Sequence, residues 1–188
     1  MSGPDHSAFR HALAQFPTGV TVVIGQSPSR KTPVGLTVSS FNSVSLSPPL
    51  VLWSISSHSQ HLDAFAVGQA HRIHVLAHNQ QELALRFAQS GRDKFEGIPL
   101  RYGQRPADEQ TMQSGQAKAP AFAPPCEAIS LESVPLLAHC SARFDCITDV
   151  IHSAGDHCVV IARVLYFEAS DHEPLIFAQG GFFGLSKR

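Results

Sequence analysis

The 188-residue sequence predicts a single, mainly β domain carrying a few short helices, and three observations predict it. Residues 34–59 read VGLTVSSFNSVSLSPPLVLWSISSHS: a hydroxyl-rich strand, a Pro-Pro turn, an apolar strand and a second Ser cluster. Residues 140–150 and 157–167 are two strand-like runs about a Gly-Asp turn, which reads as a long hairpin. Helical spacing of apolar residues is confined to short windows, and no repeat or heptad appears. With 43% hydrophobic residues the chain is long enough for one sizeable core and short for two.

Taken in order, residues 1–6 read as a tail, and Ser7 is the expected N-cap of a helix on which Phe9, Leu13 and Phe16 recur at helical spacing until Phe16-Pro17 ends it. The first strand runs from Gly19 to Gly25. Pro48-Pro49 cannot serve a central ladder, so they mark the connection into the strand Leu50 to Ile55. Ser59 then caps a helix bearing Leu62, Phe65 and Ala66, which returns through Gly68 to a strand near Ile73. Asn79 followed by Glu82 has the capping-box spacing and opens a helix with Leu83, Leu85 and Phe87 that stops at Gly91. Residues 103–125 turn polar, proline-rich and aperiodic, which reads equally as a surface excursion beside the active site and as a decoration unrelated to it. Strands resume at Ala128–Leu131, Cys140–Val150 and His157–Phe167.

Composition excludes several function classes. A net charge of −1, with no Lys/Arg run interleaved with aromatics, argues against a nucleic-acid partner. No basic stretch leads an apolar one at the N-terminus and no apolar run reaches the length of a membrane span, so a soluble cytoplasmic protein with no membrane partner is expected. Cys126, Cys140, Cys146 and Cys158 lack a CxxC spacing and are expected as reduced, buried thiols. Of the eleven histidines, His58/His61 and His71/His74 have an HxxH spacing. The second pair lies on a strand, where i and i+3 point to opposite faces, and the first has no third ligand at an obvious spacing, so no metal is expected. Neither GxGxxG opening a helix nor GxxxxGKS/T is present, which leaves no Rossmann pyrophosphate site and no P-loop.

What remains is a polar cradle on a buried sheet. Thr37, Ser39 and Ser40 offer hydroxyls and backbone N–H groups, and Ser54, Ser56, Ser57 and Ser59 repeat the offer one strand later, a surface suited to a flat ligand carrying a phosphate. The same residues also read as a Ser/Thr-rich sheet edge. On physical grounds Ser59, at the expected helix N-terminus, is the best phosphate contact.

Four segments carry a family resemblance: Phe16-Pro17-Thr18-Gly19-Val20-Thr21-Val22-Val23; Gly35-Leu36-Thr37-Val38-Ser39-Ser40-Phe41 through Ser47-Pro48-Pro49-Leu50-Val51; Gly155-Asp156-His157; and Pro174-Leu175-Ile176-Phe177 with Gly180-Gly181-Phe182. In these the chain resembles the short-chain flavin reductases, the reductase components of two-component flavin monooxygenases. The resemblance implies a flavin-binding split β-barrel with Greek-key-like connections. It also implies hydride transfer from NADH or NADPH to FMN or FAD, a homodimer with flavin sites near the subunit interface, and a partner monooxygenase reached by diffusing reduced flavin.

Carried over by position, Thr37, Val38, Ser39 and Ser40 are implied to face the isoalloxazine and ribityl groups, with Ser54, Ile55 and Ser56 as a second wall. Ser56 stands where many relatives carry Asn or Asp, and His74 where Asn is common. Lys94, followed by Phe95, occupies the place of a basic flavin ligand, with Arg92 as the fallback. His157 is implied to bind and orient the nicotinamide nucleotide, with Asp156 shaping the turn and orienting it. Phe182 or Phe183 either lines the nicotinamide side or fills the barrel end. Hydride passes directly between the cofactors, so no side chain is assigned as acid or base. The readings left beside this one are a non-enzymatic flavin carrier on the same fold and a flavin-dependent reductase of another acceptor. A pyridoxamine-phosphate-oxidase-like enzyme lacks the Arg/Lys-rich set that a second phosphorylated substrate needs.

Overall fold

The computed structural model of the protein describes residues 5–91, 93–103 and 131–186. Two helices and ten strands follow in the order α1 (His6–Leu13), β1 (Thr18–Gly19), β2 (Thr21–Gln26), β3 (Pro33–Val38), β4 (Asn42–Leu46), β5 (Pro49–Ser56), β6 (Ala70–Val75), α2 (Gln81–Ala88), β7 (Ala142–Ala154), β8 (His157–Ala169), β9 (Ile176–Ala178) and β10 (Gly181–Phe183). The mainly β reading therefore holds, with β7 and β8 as the long hairpin. Its two-residue loop has φ +63° at Gly155, the first loop position, where hairpin turns favour glycine.

Seven strands form one antiparallel sheet in the order β3-β2-β6-β7-β8-β5-β4, and β1-β9-β10 form a second, smaller one. The large sheet rolls up. Val34 from its β3 edge and Val51 and Trp53 from β5, next to the other edge, pack into one cluster with Val23, Phe65, Ile73, Cys146 and Val160. The roll does not close, since β3 and β4 form no ladder with each other, and this is the split of the expected barrel. A second cluster on the other face joins Val22, Ile24 and Leu76 to Phe87 of α2, Leu137 and Leu175. Strands β2 and β6 are thus covered on both faces, which explains their continuous burial.

Several local expectations are corrected. The N-cap of α1 is Asp5 and not Ser7: its carboxylate accepts from the N–H groups of Ser7 and Ala8 and complements the helix dipole. Phe9 and Leu13 on that helix, and Phe16 three residues beyond its end, are 61%, 58% and 73% exposed. The expected strand 19–25 is interrupted at Val20, which bonds Leu175 and Leu76 across the two sheets. Ser59 caps no α-helix, because residues 62–65 form a single 3-10 turn that drops Ala64 and Phe65 into the core. The Asn79/Glu82 capping box is also absent: Gln80 is the cap residue, and its side chain instead joins the Ala77 N–H to the Ala138 carbonyl. Leu131 begins a 3-10 turn, not the end of a strand, while residues 104–130 and Arg92 lie outside the described residues.

Helix α2 sits against β3 because Gly35 lets it. A Cβ there would lie 2.3 Å from Phe87 Cε1, and Phe87 is held edge-on by Phe95 at 5.1 Å. Thr37 on the same face donates its hydroxyl to the Ala84 carbonyl. A buried charge network crosses the same side of the large sheet. Arg72 Nε donates to Asp145 Oδ1 at 3.1 Å, and its remaining nitrogens donate to the carbonyls of Val134 and Gly103. Arg143 lies 3.3 Å from the same carboxylate oxygen and 3.3 Å from Glu168. Among the described residues no helix is long and apolar enough to cross a membrane.

Candidate active site

The hydroxyl-rich segments meet where the sheet is split. The chain bends at Ser39–Phe41, so that β3 and β4 stand at opposite edges of one sheet although only three residues separate them. Ser40 Oγ then accepts the Ser54 N–H at 2.9 Å, adding one side-chain rung beyond the Asn42–Leu52 end of the β4–β5 ladder. Along β5, Trp53 and Ile55 are buried in the core while Ser54 and Ser56 alternate onto the opposite face.

Which hydroxyls remain able to serve a ligand follows from their bonds. Ser56 Oγ accepts the His58 N–H, Ser59 Oγ accepts the His61 N–H and Ser40 Oγ accepts the Ser54 N–H, so all three keep an O–H to donate. Thr37 and Ser57 donate theirs, to the carbonyls of Ala84 and Asp156. Ser39 is exposed on the bend.

The β7–β8 hairpin tip reaches the same loop. Ser56 pairs directly with His157 in the β5–β8 register, which puts the two side chains on one face. Asp156 Oδ1 lies 2.7 Å from His157 Nδ1, and the imidazole directs its other nitrogen away from that carboxylate. The hydrogen bond to His157 draws the Asp156 carboxyl below its ordinary range.

Basic side chains approach from two further segments. Lys94 Nζ donates to the carbonyls of Gly35 at 3.0 Å and Phe87 at 2.8 Å, tying β3 to the last turn of α2, where a cation complements the helix dipole. Burial lowers its pKa from the ordinary lysine value. Arg30, from the β2–β3 turn, donates to the Gln60 carbonyl and lies 3.4 Å from His61 Nδ1. Burial, with Arg30 and Lys94 nearby, holds the His61 pKa below its ordinary value. Asp63 beside them accepts from Ser27 and Ser29, each at 2.7 Å. Arg30 and His61 were missed in the sequence because their meeting depends on the turn at 27–30 folding over the segment after β5. The one local signal was the run of Ser and His around it.

The side chains of other expected residues turn away from the rim. Val38 and Ile55 point into the core, and Phe95 packs on Phe87. His74 is fully buried, with Nε2 accepting the Leu137 N–H at 3.2 Å, so it belongs to the packed side of β6 and not to the open rim. His71 lies on the other face of β6, accepting from Trp53 Nε1 at 3.4 Å with Thr148 Oγ1 at its second nitrogen. Phe182 packs at a tilt against Phe177 within the small sheet, in a different cluster from the β5 and hairpin residues.

The donor set fits a phosphorylated flavin. Three hydroxyls able to donate, the basic side chains of Arg30 and Lys94 and the imidazoles of His61 and His157 stand about this loop and the adjoining bend, a donor set suited to a phosphate ester, and the neighbouring carboxylates of Asp63 and Asp156 are themselves hydrogen-bonded. A rolled antiparallel sheet left open along one seam, with these groups beside it, defines a protein of the flavin-binding split-barrel class. The chain belongs to the flavin reductase family: the model described as "Flavin reductase like domain" matches residues 13–186. It is 36% identical over 186 residues to "FMN reductase (NADH) SmoA" of Agrobacterium fabrum, covering 99% of this chain and 90% of that one. It is 31% identical to "Flavin-dependent monooxygenase, reductase subunit HsaB" of Rhodococcus jostii, covering 96% and 78%. Among solved structures, nitrilotriacetate monooxygenase component B of Mycobacterium thermoresistibile superposes with a TM-score of 0.76 at 29% identity, covering 97% and 87%. Some relatives are longer: the chain spans 53% of a matching Sinorhizobium meliloti structure.

Proposed function

We propose that the protein is an NAD(P)H:flavin oxidoreductase that reduces FMN or FAD and releases it to a separate flavin-dependent monooxygenase. The observation that carries this reading is the meeting of the hydroxyl loop with the hairpin tip, where Ser56 stands opposite His157. Phosphate donors and a nicotinamide-orienting imidazole thereby share one rim. The names of the Agrobacterium and Rhodococcus relatives support the reaction and the monooxygenase partner, and the first favours NADH with FMN as the working pair.

When bound, flavin supplies the redox chemistry by accepting a hydride from the nicotinamide. The chain supplies position and charge. Ser56 and Ser59 donate to the phosphate, Arg30 and the one unspent donor of Lys94 add positive potential there, and His61, its pKa lowered, stands beside them as a neutral imidazole. Ser39, Ser40 and Ser54 border the seam toward the ring system. His157, its Nδ1 engaged by Asp156, presents Nε2 to the nucleotide and orients it, with no proton to transfer. Val38, Ile55, Thr37 and Phe95 serve by packing the walls behind these groups.

The same reading takes the protein to be a homodimer in the cytoplasm. Support for the dimer is the apolar surface that a single copy leaves open, including Phe9, Leu13, Phe16 and Leu46, the last 93% exposed. Cys140, Cys146 and Cys158, all free thiols, agree with a reducing compartment.

Titration of the purified protein with FMN and FAD tests the site. Ser59→Ala and Lys94→Ala are each expected to weaken flavin binding by about 1–3 kcal/mol, the range of a charge-assisted hydrogen bond. A thermal melt separates the two, because Lys94→Ala also removes the tie between β3 and α2 and lowers the melting temperature. Flavin affinity unchanged in the double variant would remove both residues from the site.

A further inference from the structure

Ser56 and Ser59 keep a hydroxyl proton for a ligand, but Ser57 between them does not. Its N–H and its Oγ–H both end on the main-chain oxygen of Asp156, each at 3.0 Å. That carbonyl belongs to the second residue of the two-residue hairpin loop, beyond the last β5–β8 pair, Ser56 with His157. The tip itself is open: the side chains of Asp156 and His157 are 85% and 49% exposed, and their short contact is with each other. Two adjacent serines therefore have separate tasks. Ser56 faces the ligand side, and Ser57 fastens the loop from which His157 projects.

We propose that Ser57 is a positioning residue for the nicotinamide nucleotide, fixing the hairpin tip so that His157 is presented at the rim of the phosphate-binding loop. The inference rests on the functional reading above and gives Ser57, which the sequence pattern offers only as one more hydroxyl of the cradle, a different role. It has a second consequence. Because Ser57 lies in the chain between the phosphate donors Ser56 and Ser59, flavin that orders residues 56–59 also orders the tip, and binding of flavin and nucleotide is mutually favourable. Loss of the hydroxyl bond leaves the N–H bond in place, so the tip loosens without detaching.

Ser57→Ala and Ser57→Thr test this through three readouts: steady-state kinetics with NADH, FMN affinity by fluorescence titration, and amide hydrogen exchange over residues 153–158. Ser57→Ala is expected to raise the KM for NADH about fivefold, the effect of one hydrogen bond, with kcat and FMN affinity within about twofold of the unsubstituted protein. Exchange at the tip should quicken, and Ser57→Thr, which keeps the hydroxyl, should restore both KM and exchange. An unmoved KM despite faster exchange would overturn the positioning role, and FMN binding weakened as much as the KM would place Ser57 in the flavin site instead. If the unsubstituted protein oxidises no NADH, the functional reading and this inference fall together; oxidation with an unmoved KM sinks the inference alone.

Discussion

Asp145→Ala is expected to lower the unfolding free energy by about 3–5 kcal/mol, the range for leaving a buried charge without its partner. Side-chain exposure is 1% for Arg72, 11% for Arg143 and 5% for Asp145, so water cannot replace the lost carboxylate. Burial pushes the Asp145 carboxyl up even with both guanidinium groups beside it, and it lowers the Arg72 pKa as well. The network thus carries a desolvation cost that only its intact geometry offsets. Arg72 also holds the carbonyls of Gly103 and Val134, which lie on either side of residues 104–130, so its misplacement frees both stems of that segment. Urea denaturation of Asp145→Ala beside the double variant Arg72→Met/Asp145→Leu measures the effect. The double variant leaves no charge unpaired from this couple but also releases the Gly103 and Val134 carbonyls, so it is expected to recover only part of the loss. A single-variant loss below about 1 kcal/mol would show that the pair is solvated and contradict its burial.

Acidification is expected to have an effect of similar size. His71 is held neutral by burial, its pKa lowered to about 4, and His74 likewise to about 3. Below the unfolded value near 6.5 the unfolded chain takes up these two protons and the folded chain does not. Stability therefore falls as pH falls, by about 1.4 kcal/mol per pH unit for each histidine, until the folded value is reached. At pH 5 the two together amount to a loss of about 4 kcal/mol relative to pH 8. The downward shift of His61 acts in the same sense, while the upward shift of Asp145 acts in the opposite one near the carboxylate range. Urea midpoints at half-unit steps from pH 8 to 5 give the slope, and His71→Gln should remove roughly half of it. A flat profile down to pH 5 would mean that both imidazoles reach solvent, and would contradict the packing of Trp53, Phe65 and Thr148 around His71 and the burial of His74.

What the sequence made legible was mostly local. The β7–β8 hairpin could be read because two long apolar runs flank a Gly-Asp pair whose turn chemistry is specific, and the structure pairs Ala154 with His157 across it. The opposed directions of His71 and His74 followed from strand period alone. The bend at Ser39–Phe41 could not be read, because hydroxyl residues continue through it without a change of period. Nothing local signals that β3 and β4 go to opposite edges. The expected helix after Ser59 failed for a related reason: Ala64 and Phe65 are neighbours in sequence, and a single 3-10 turn buries both where an α-helix would need them spaced along one face. The Arg72–Asp145 pair spans 73 positions, a separation that only the sheet order explains.

The site divides in the same way. Ser54, Ser56, Ser57 and Ser59 could be grouped from their clustering at the end of an apolar strand, but which of them donate and which accept depends on backbone groups brought in from Asp156 and from the turn after β5. Lys94 was assigned from the family resemblance, yet two of its donors close β3 onto α2, a task that needs the position of Phe87 to be seen. His74 fits a pattern position of the family strand, and its burial against Leu137 decides its role.

Whether the protein reduces flavin is decided by absorbance at the nicotinamide band, with purified protein, NADH or NADPH, and FMN or FAD in all four pairings. A flavin reductase oxidises the nucleotide only with added flavin, is expected to be fastest with NADH and FMN, and accumulates reduced flavin when oxygen is removed. Folded protein that binds flavin but oxidises neither nucleotide with either flavin would contradict it and leave a carrier in place of a reductase.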